Sequence, residues 1–372
     1  MMGFSSQQMH DYLSEGLELV SQLVIIEWAG IRLTVQSNSP VLLKTLSRYF
    51  AHCQVENNTN VVEREISIVA LERDPPMLPL EFKDWRRETG KQGRKDSYVD
   101  LVDGRLLRKV RTDMVFLQSD QSLLAVGPCI KNDNQVINFI VSQIMNYLQQ
   151  QDYVIGHAAA AKVDGKGVAL AGFSGGGKST LMLKLMDGEG SQFISNDRLF
   201  MRNDESQSGV HAVGVPKMPR VNPGTLLNNA KLTGVMGVKE QALYSAMPFA
   251  ELWDVEHKYD VLVDEVYGVN SLCDSTLLEA VIILNWRHES AELTALNPVD
   301  IEQRQELLAA IKKAPGPFYQ DGNGVFSRDS NTLEDAPYLQ LLKNTQVWEM
   351  SGVVNVEEGL RLVQQQVLGH SC

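Results

Sequence analysis

Hydrophobic positions change their spacing along the chain, and the change divides it near residue 150. Before that point most apolar runs are short and alternate with polar residues. Residues 23–28 and 31–35 predict two strands around Ala29-Gly30, and 65–71 predict a third, closed by Asp74-Pro75-Pro76. Residues 98–102 and 106–110 flank Asp103-Gly104, a tight-hairpin dipeptide, and 114–117 with 122–126 predict a further pair. Two stretches keep the helical period instead. Val41, Leu42, Leu46 and Tyr49 share one face over 40–50, with Asn38 or Ser39 as the cap. Ile137, Val141, Ile144 and Leu148 form a stripe over 134–150, capped by Asn132 or Asp133. Residues 1–150 thus predict a strand-rich mixed α/β lobe, suited to binding a substrate or partner.

After residue 150 the pattern tightens around one stretch. Residues 154–163 predict a strand, Asp164-Gly165 a tight turn and 168–171 a short buried strand. Then come Gly172-Phe173-Ser174-Gly175-Gly176-Gly177-Lys178-Ser179 and a helix over 180–186. Further on, 193–195 run as a strand into Asn196-Asp197, and three prolines stiffen 215–225. Residues 258–268 contain an apolar strand that runs into Asp264-Glu265. A helix-to-strand transition over 277–285, a helix over 297–313, a break at Pro315-Gly316-Pro317, a strand over 346–350 and a helix over 356–367 capped by Asn355 complete the chain.

The glycine-rich stretch has the spacing of a phosphate-binding loop: glycine, four residues, then glycine-lysine-serine. A polyphosphate needs several converging N–H donors, and a glycine backbone that reaches positive φ can supply them. The helix that follows adds its positive end. Lys178 then reaches the β- and γ-phosphates, the Ser179 hydroxyl is a Mg²⁺ ligand, and Gly172 through Thr180 hold the nucleotide. A flexible linker ahead of a chance lysine is the bland alternative, and the strand before and helix after count against it.

Composition narrows the remaining classes. A net charge of −12 over 372 residues argues against general binding to nucleic acid or anionic membranes. No apolar run reaches membrane-spanning length, the first residues carry no secretory pattern, and Cys53, Cys129, Cys273 and Cys372 have neither metal-ligand nor disulfide spacing. These features predict a reduced, cytoplasmic protein. The basic segment 86–95 reads as a solvated loop rather than an anion site.

A hairpin leading directly into the loop resembles the HPr kinase/phosphorylase family, with its histidine-bearing strand, turn, strand and Gly-x-Ser-Gly-x-Gly-Lys-Ser motif. The resemblance spans roughly 150–290 and is nearest the HPr-kinase-related kinase B branch. It implies an α/β fold with a P-loop catalytic domain of the HPr-kinase/phosphoenolpyruvate-carboxykinase type over 151–372, behind the N-terminal lobe. It also implies ATP and Mg²⁺ as cofactors, phosphoryl transfer to a hydroxyl of a small molecule or a protein serine, and phosphorolysis as the reverse reaction. Self-association and an ATP-grasp-type partner enzyme are implied in the same way.

Residue by residue, Asp197 ends its strand where such folds place a carboxylate beside the γ-phosphate, and serves as acceptor base or metal contact. Asn196 replaces the first aspartate of the family's pair. His157 matches the family histidine near the transferred phosphate. Arg220 matches the arginine of the family's Glu-Ile-Arg-Gly segment, a bidentate phosphate clamp, with Lys217 adding charge. The family glutamate aligns with Met218, so that ligand is missing; Asp264 or Glu265, at the end of an apparent Walker B strand, replaces it as metal contact or polarises a water, or is a strand-end acid facing solvent. A nucleotide-gated regulatory or assembly subunit that binds ATP without transfer is the alternative reading.

Overall fold

The computed structural model describes residues 3–55, 61–87, 93–173, 175–204, 206, 209–252, 255 and 257–370. Ser174 and Cys372 lie outside the described residues, as do 88–92 of the basic segment. Arg94 of that segment pairs with Asp84 at 2.7 Å. The fold is mixed α/β. By contact density the chain forms two compact units, 1–151 with 315–332, and 152–314 with 333–372.

The first unit begins with helix α1 (Ser6–Ser14), strands β1 (Val24–Trp28) and β2 (Ile31–Ser37), and helix α2 (Pro40–Tyr49). Strands β3 (Arg64–Glu72), β4 (Lys83–Asp84), β5 (Asp96–Asp100), β6 (Gly104–Lys109), β7 (Val115–Ser119) and β8 (Leu123–Gly127) follow, then helix α3 (Asp133–Gln150). The sheet order is β1-β2-β3-β8-β7-β6-β5-β4, parallel at β2/β3 and β3/β8 and antiparallel elsewhere. Alternation along β7 sets the two layers. Val115 and Leu117 join Met9 and Leu13 of α1 in one cluster, while Phe116 meets Phe139 of α3.

Residues 315–332 belong to this unit, which corrects the reading of 151–372 as one continuous domain. Phe318 packs edge-on to Phe116, and the fully buried Arg105 donates to the backbone carbonyls of Pro317 and Ser327. A buried guanidinium needs such acceptors, so the segment is tied down by a polar contact no local pattern announces.

The second unit starts with β9 (Val154–Gly156), β10 (Ala158–Val163), β11 (Lys166–Gly172), helix α4 (Lys178–Leu185), β12 (Gln192–Ser195), β13 (Leu199–Asp204) and β14 (Gly209–Val213). Next come β15 (Arg220–Val221), α5 (Pro223–Leu227), α6 (Val238–Ser245), α7 (Phe249–Leu252), β16 (Tyr259–Asp260), α8 (Val263–Tyr267) and β17 (Ser275–Leu284). β18 (Ala295–Pro298), α9 (Ala336–Leu342), β19 (Gln346–Ser351) and α10 (Val356–Leu362) close it. The main sheet runs β12-β10-β11-β17-β14-β13-β9, with β19 also on β17 and β18 on β19. β17 lies parallel to β11, with Leu284 opposite Gly172, so both strands deliver their C-terminal ends to one edge.

Three local expectations change here. Residues 154–163 are not one strand: the chain breaks at His157, β9 pairing with β13 and β10 with β11 and β12. Residues 275–284 are strand throughout, with no helical start. The helix over 297–313 is replaced by the end of β18 and a 3₁₀ turn, Gln305–Ala310, whose Leu307 and Leu308 fill the core.

Candidate functional site

The loop between β11 and α4 is built by backbone conformation. Gly175 and Gly177 have φ of 79° and 82°, where a Cβ is strained, and Gly177 opens α4 with no side-chain cap. A Cβ on Gly177 would lie 3.4 Å from the ring of Trp286, whose indole N–H donates to the Gly176 carbonyl at 2.8 Å. Trp286 follows β17, so the neighbouring strand clamps the loop. Lys178 is buried, and its ammonium donates to the Gly172 carbonyl at 2.7 Å. Burial pushes its pKa down to about 8, with Lys313 acting the same way against the pull of Asp197. Thr180 shares a hydroxyl contact with Thr225 at 3.1 Å.

β12 ends at Ser195, whose hydroxyl donates to the Arg198 carbonyl at 2.7 Å and closes a turn around Asn196 and Asp197. Gly214 lets this strand pass: a Cβ there would sit 1.7 Å from the Ile194 carbonyl oxygen. Asp197 faces His157 Nε2 at 3.0 Å, Lys313 Nζ at 3.6 Å and Arg198 Nε at 3.9 Å. The break after β9 aims His157 inward, held by its N–H donating to the Ile311 carbonyl at 2.7 Å. Loss of water around Asp197 is the largest single effect and favours the neutral acid. The His157 hydrogen bond, with the charges of Lys313, His157 and Arg198, outweighs it and holds the carboxyl well below the usual carboxylate range.

Arg220 lies on β15 directly opposite Asp260 of β16, and the pair meets at 3.2 Å. Lys217 is pushed down to about 8, first by burial and then by Arg198 and Arg220. Together with Gly175–Thr180, His157 and Asp197, these groups line one cleft of about 540 Å³. Arg198, Lys258 and His288 also line it, although no motif in the sequence marks them. Arg198 adjoins Asp197, and His288 lies just beyond the end of β17. The general rule that ligands sit at the C-terminal ends of parallel strands points to such positions.

Asp264 and Glu265 are not on a strand. They open the short helix α8, and neither is among the residues lining the cleft. The extended pairing ends at Asp260, and two acids in a first helical turn are stabilised by its dipole. The apparent Walker B strand is thus corrected, and β17 is the strand beside the phosphate-loop strand. Met218 is buried in the cleft wall. No group of three or more His, Cys, Asp or Glu that could hold a metal occurs among the described residues, and no described helix is long and apolar enough to cross a membrane.

The cleft fits a polyphosphate. Lys178, Arg198, Lys217, Arg220 and Lys258 face it against Asp197 in a chain of net charge −12. It fits Mg²⁺ in the way that ion is ordinarily held, by one or two protein oxygens and the phosphates themselves; the Ser179 hydroxyl and Asp197 are the oxygens in the cleft that would hold it.

A glycine-rich loop between a strand of the mixed sheet and a helix, facing a strand-end aspartate, has the form of a phosphate-binding loop. No family model matches the chain. HPr kinase/phosphorylase of Lactobacillus delbrueckii subsp. bulgaricus is 28% identical over 142 residues, 37% of this chain and 45% of that protein. This is a weak sequence similarity to an HPr-kinase-type protein, and the chain spans less than half the length of that relative. The Hpr(Ser) kinase/phosphatase from Coxiella burnetii is 12% identical in a comparison covering 57% of this chain and 90% of that one, at a TM-score of 0.29, too low to define a shared fold.

Proposed function

We propose that the second unit is an ATP- and Mg²⁺-dependent kinase of the HPr-kinase type, transferring phosphate to a hydroxyl of a small molecule or a protein serine. The observation that carries this reading is that Lys178 of the phosphate loop and the Asp197–His157 pair line the same cleft among excess cations. The loop amides and Lys178 bind the β- and γ-phosphates, Lys178 leaving the Gly172 carbonyl to do so. Arg220 and Lys217 neutralise charge spreading over the migrating phosphoryl group. Asp197 accepts the hydrogen bond of the acceptor hydroxyl and takes its proton as the bond from that oxygen to the γ-phosphorus forms and the bond to the bridging oxygen of the departing ADP breaks. An anion bound beside Lys313 and Arg198 offsets their charge and raises the basicity of Asp197 for that step. Mg²⁺ would be held by the Ser179 hydroxyl and the nucleotide phosphates, with Asp197 beside it, and would supply charge neutralisation and orientation.

Asn196 and Met218, which stand where the family has carboxylates, favour a second reading: a nucleotide-gated subunit that binds ATP and transfers nothing. Incubation of the protein with γ-labelled ATP, Mg²⁺ and a cell extract, followed by mass spectrometry of small molecules and proteins, tests the two. Label on a defined hydroxyl, lost with Lys178→Met, supports the kinase. ATP binding without any transferred label supports the regulator.

A further inference from the structure

The first unit carries a polar cleft of about 270 Å³ that plays no part in the chemistry above. It exists because the β7–β8 hairpin is too short to cover its neighbour. β3 runs from Arg64 to Glu72 but pairs with β8 only over Val69–Glu72, so the edge of 64–67 extends past the hairpin turn. Ile66 and Ser67 on that edge form one wall. Opposite them, α3 presents Gln143, Asn146, Tyr147 and Gln150, at i, i+3, i+4 and i+7. That is the spacing of a core stripe. Here it carries amides and a hydroxyl on a helix whose interior is otherwise buried and largely apolar. The Tyr147 hydroxyl donates to Glu63 and the Gln150 amide to the Gln320 carbonyl at 2.9 Å, leaving their remaining lone pairs and N–H groups for a ligand.

Burying such groups without a partner costs free energy that an apolar stripe would not incur. Gln118 and Gln143 are 4% and 3% exposed and bond to each other through both amides, at 2.9 and 3.2 Å. Asn146 is 7% exposed; its amide N–H donates to the Phe318 carbonyl at 2.9 Å, and its Oδ1 accepts no hydrogen bond among the described residues. Ser119 and Gln320 are buried in the same wall. Charged residues of both signs line it: Glu65 pairs with Arg32 at 2.6 Å, Arg64 donates to Gln150 at 2.7 Å, and Asp120 sits at the β7–β8 turn.

We infer that this cleft is a binding site for a small uncharged polyhydroxylated molecule of monosaccharide size. Interleaved amide donors and acceptors, with an open strand edge offering both kinds of backbone group, match hydroxyls, which donate and accept at once. An inorganic ion finds no concentrated charge of either sign there. The volume lies just below that of sites for drug-sized ligands, about 300–1,000 Å³. Nothing in this inference depends on phosphoryl transfer.

The test uses the full chain and ligand-observed saturation-transfer NMR with D-glucose, D-ribose and myo-inositol, and with glucose 6-phosphate and glutamate as charged controls. At least one neutral probe is expected to give a saturable signal, and the charged controls none. Gln118→Leu/Gln143→Leu removes both partners of a buried amide pair together, so the fold is retained; the signal should fall at least tenfold while ATP binding is unchanged. Gln143→Glu, which keeps the size and adds a charge, should lose the signal too. Absence of signal from all three neutral probes with wild type overturns the inference, and so does a signal that survives in either variant.

Discussion

Nε2 of His157 lies 3.0 Å from Oδ1 of Asp197, joining the residue that interrupts a strand to the residue that follows the end of another. The contact explains why β9 and β10 do not merge: an unbroken strand would keep His157 in the ladder, and the break turns it onto the carboxylate. Asp197 thereby gains a fixed orientation and a strong bias toward its ionised form. It is a weak base while those cations face it, and in the proposed reaction an anionic substrate that engages them would raise its basicity.

Asp197→Asn keeps the size and removes the basic site. General-base assistance is worth about 10²–10⁴-fold, so acceptor-dependent ADP release should fall by about that factor with ATP affinity preserved. If Asp197 is chiefly a metal contact, turnover and Mg²⁺-dependent ATP affinity drop together. Turnover that survives the substitution removes Asp197 from the mechanism. The folded-state pKa is depressed, so the ionised carboxylate stabilises the fold above its ordinary value of 3.8, and the contribution is lost as pH falls below it. The Asn variant should therefore lose less stability than wild type on acidification below about pH 4.

The metal contacts divide in the same test tube. Ser179→Ala should raise the Mg²⁺ concentration needed for half-maximal ATP binding. Asp264→Asn and Glu265→Gln should leave it unchanged, because both residues sit on α8 outside the cleft lining. A raised Mg²⁺ requirement in either acid variant would show that α8 reaches the nucleotide.

Trp286 fastens the loop through its bond to the Gly176 carbonyl and its ring beside Gly177. Trp286→Phe retains most of the packing and deletes the donor, and one such bond is worth about 0.5–1.5 kcal/mol. ATP affinity should weaken by about 2- to 12-fold at that magnitude, read by calorimetry. Unchanged affinity would mean that the loop holds its shape without the indole.

The parts of this site that were readable in the sequence are those set by neighbours in the chain. Glycine spacing, the Asp164-Gly165 turn, the Asp103-Gly104 hairpin and the long stripe of α3 all depend on local rules, and each yields its element. Residues 261–263 show the limit. Three apolar residues in a row satisfy strand and buried helix equally, and only the end of pairing at Asp260 decides between them. Trp286, His288 and Lys313 reach the site from distant elements, and no spacing relates them to the glycine loop. The polar stripe on α3 was visible as glutamines and asparagine within a helix, but its meaning needs the open edge of β3 opposite.

Lys178 and Lys217 give the cleft a pH signature. Both are pushed to about 8 from an ordinary 10.5, so each binds its proton less tightly in the folded chain than in the unfolded one. Between about pH 8 and 10.5 the unfolded chain carries the extra protons, and stability of the nucleotide-free protein should rise with pH across that window. Below pH 8 both states are protonated and the penalty of the buried charges is fully present. Bound ATP reverses the bias, because its phosphates favour the ammonium forms. The rise should therefore flatten with ATP, and ATP affinity should decline as pH passes 8. Thermal unfolding from pH 7 to 10.5, with and without ATP, measures both slopes. Lys178→Met should remove its share of the nucleotide-free slope and leave that of Lys217. A slope identical in wild type and Lys178→Met would show that the ammonium of Lys178 is not the group under strain.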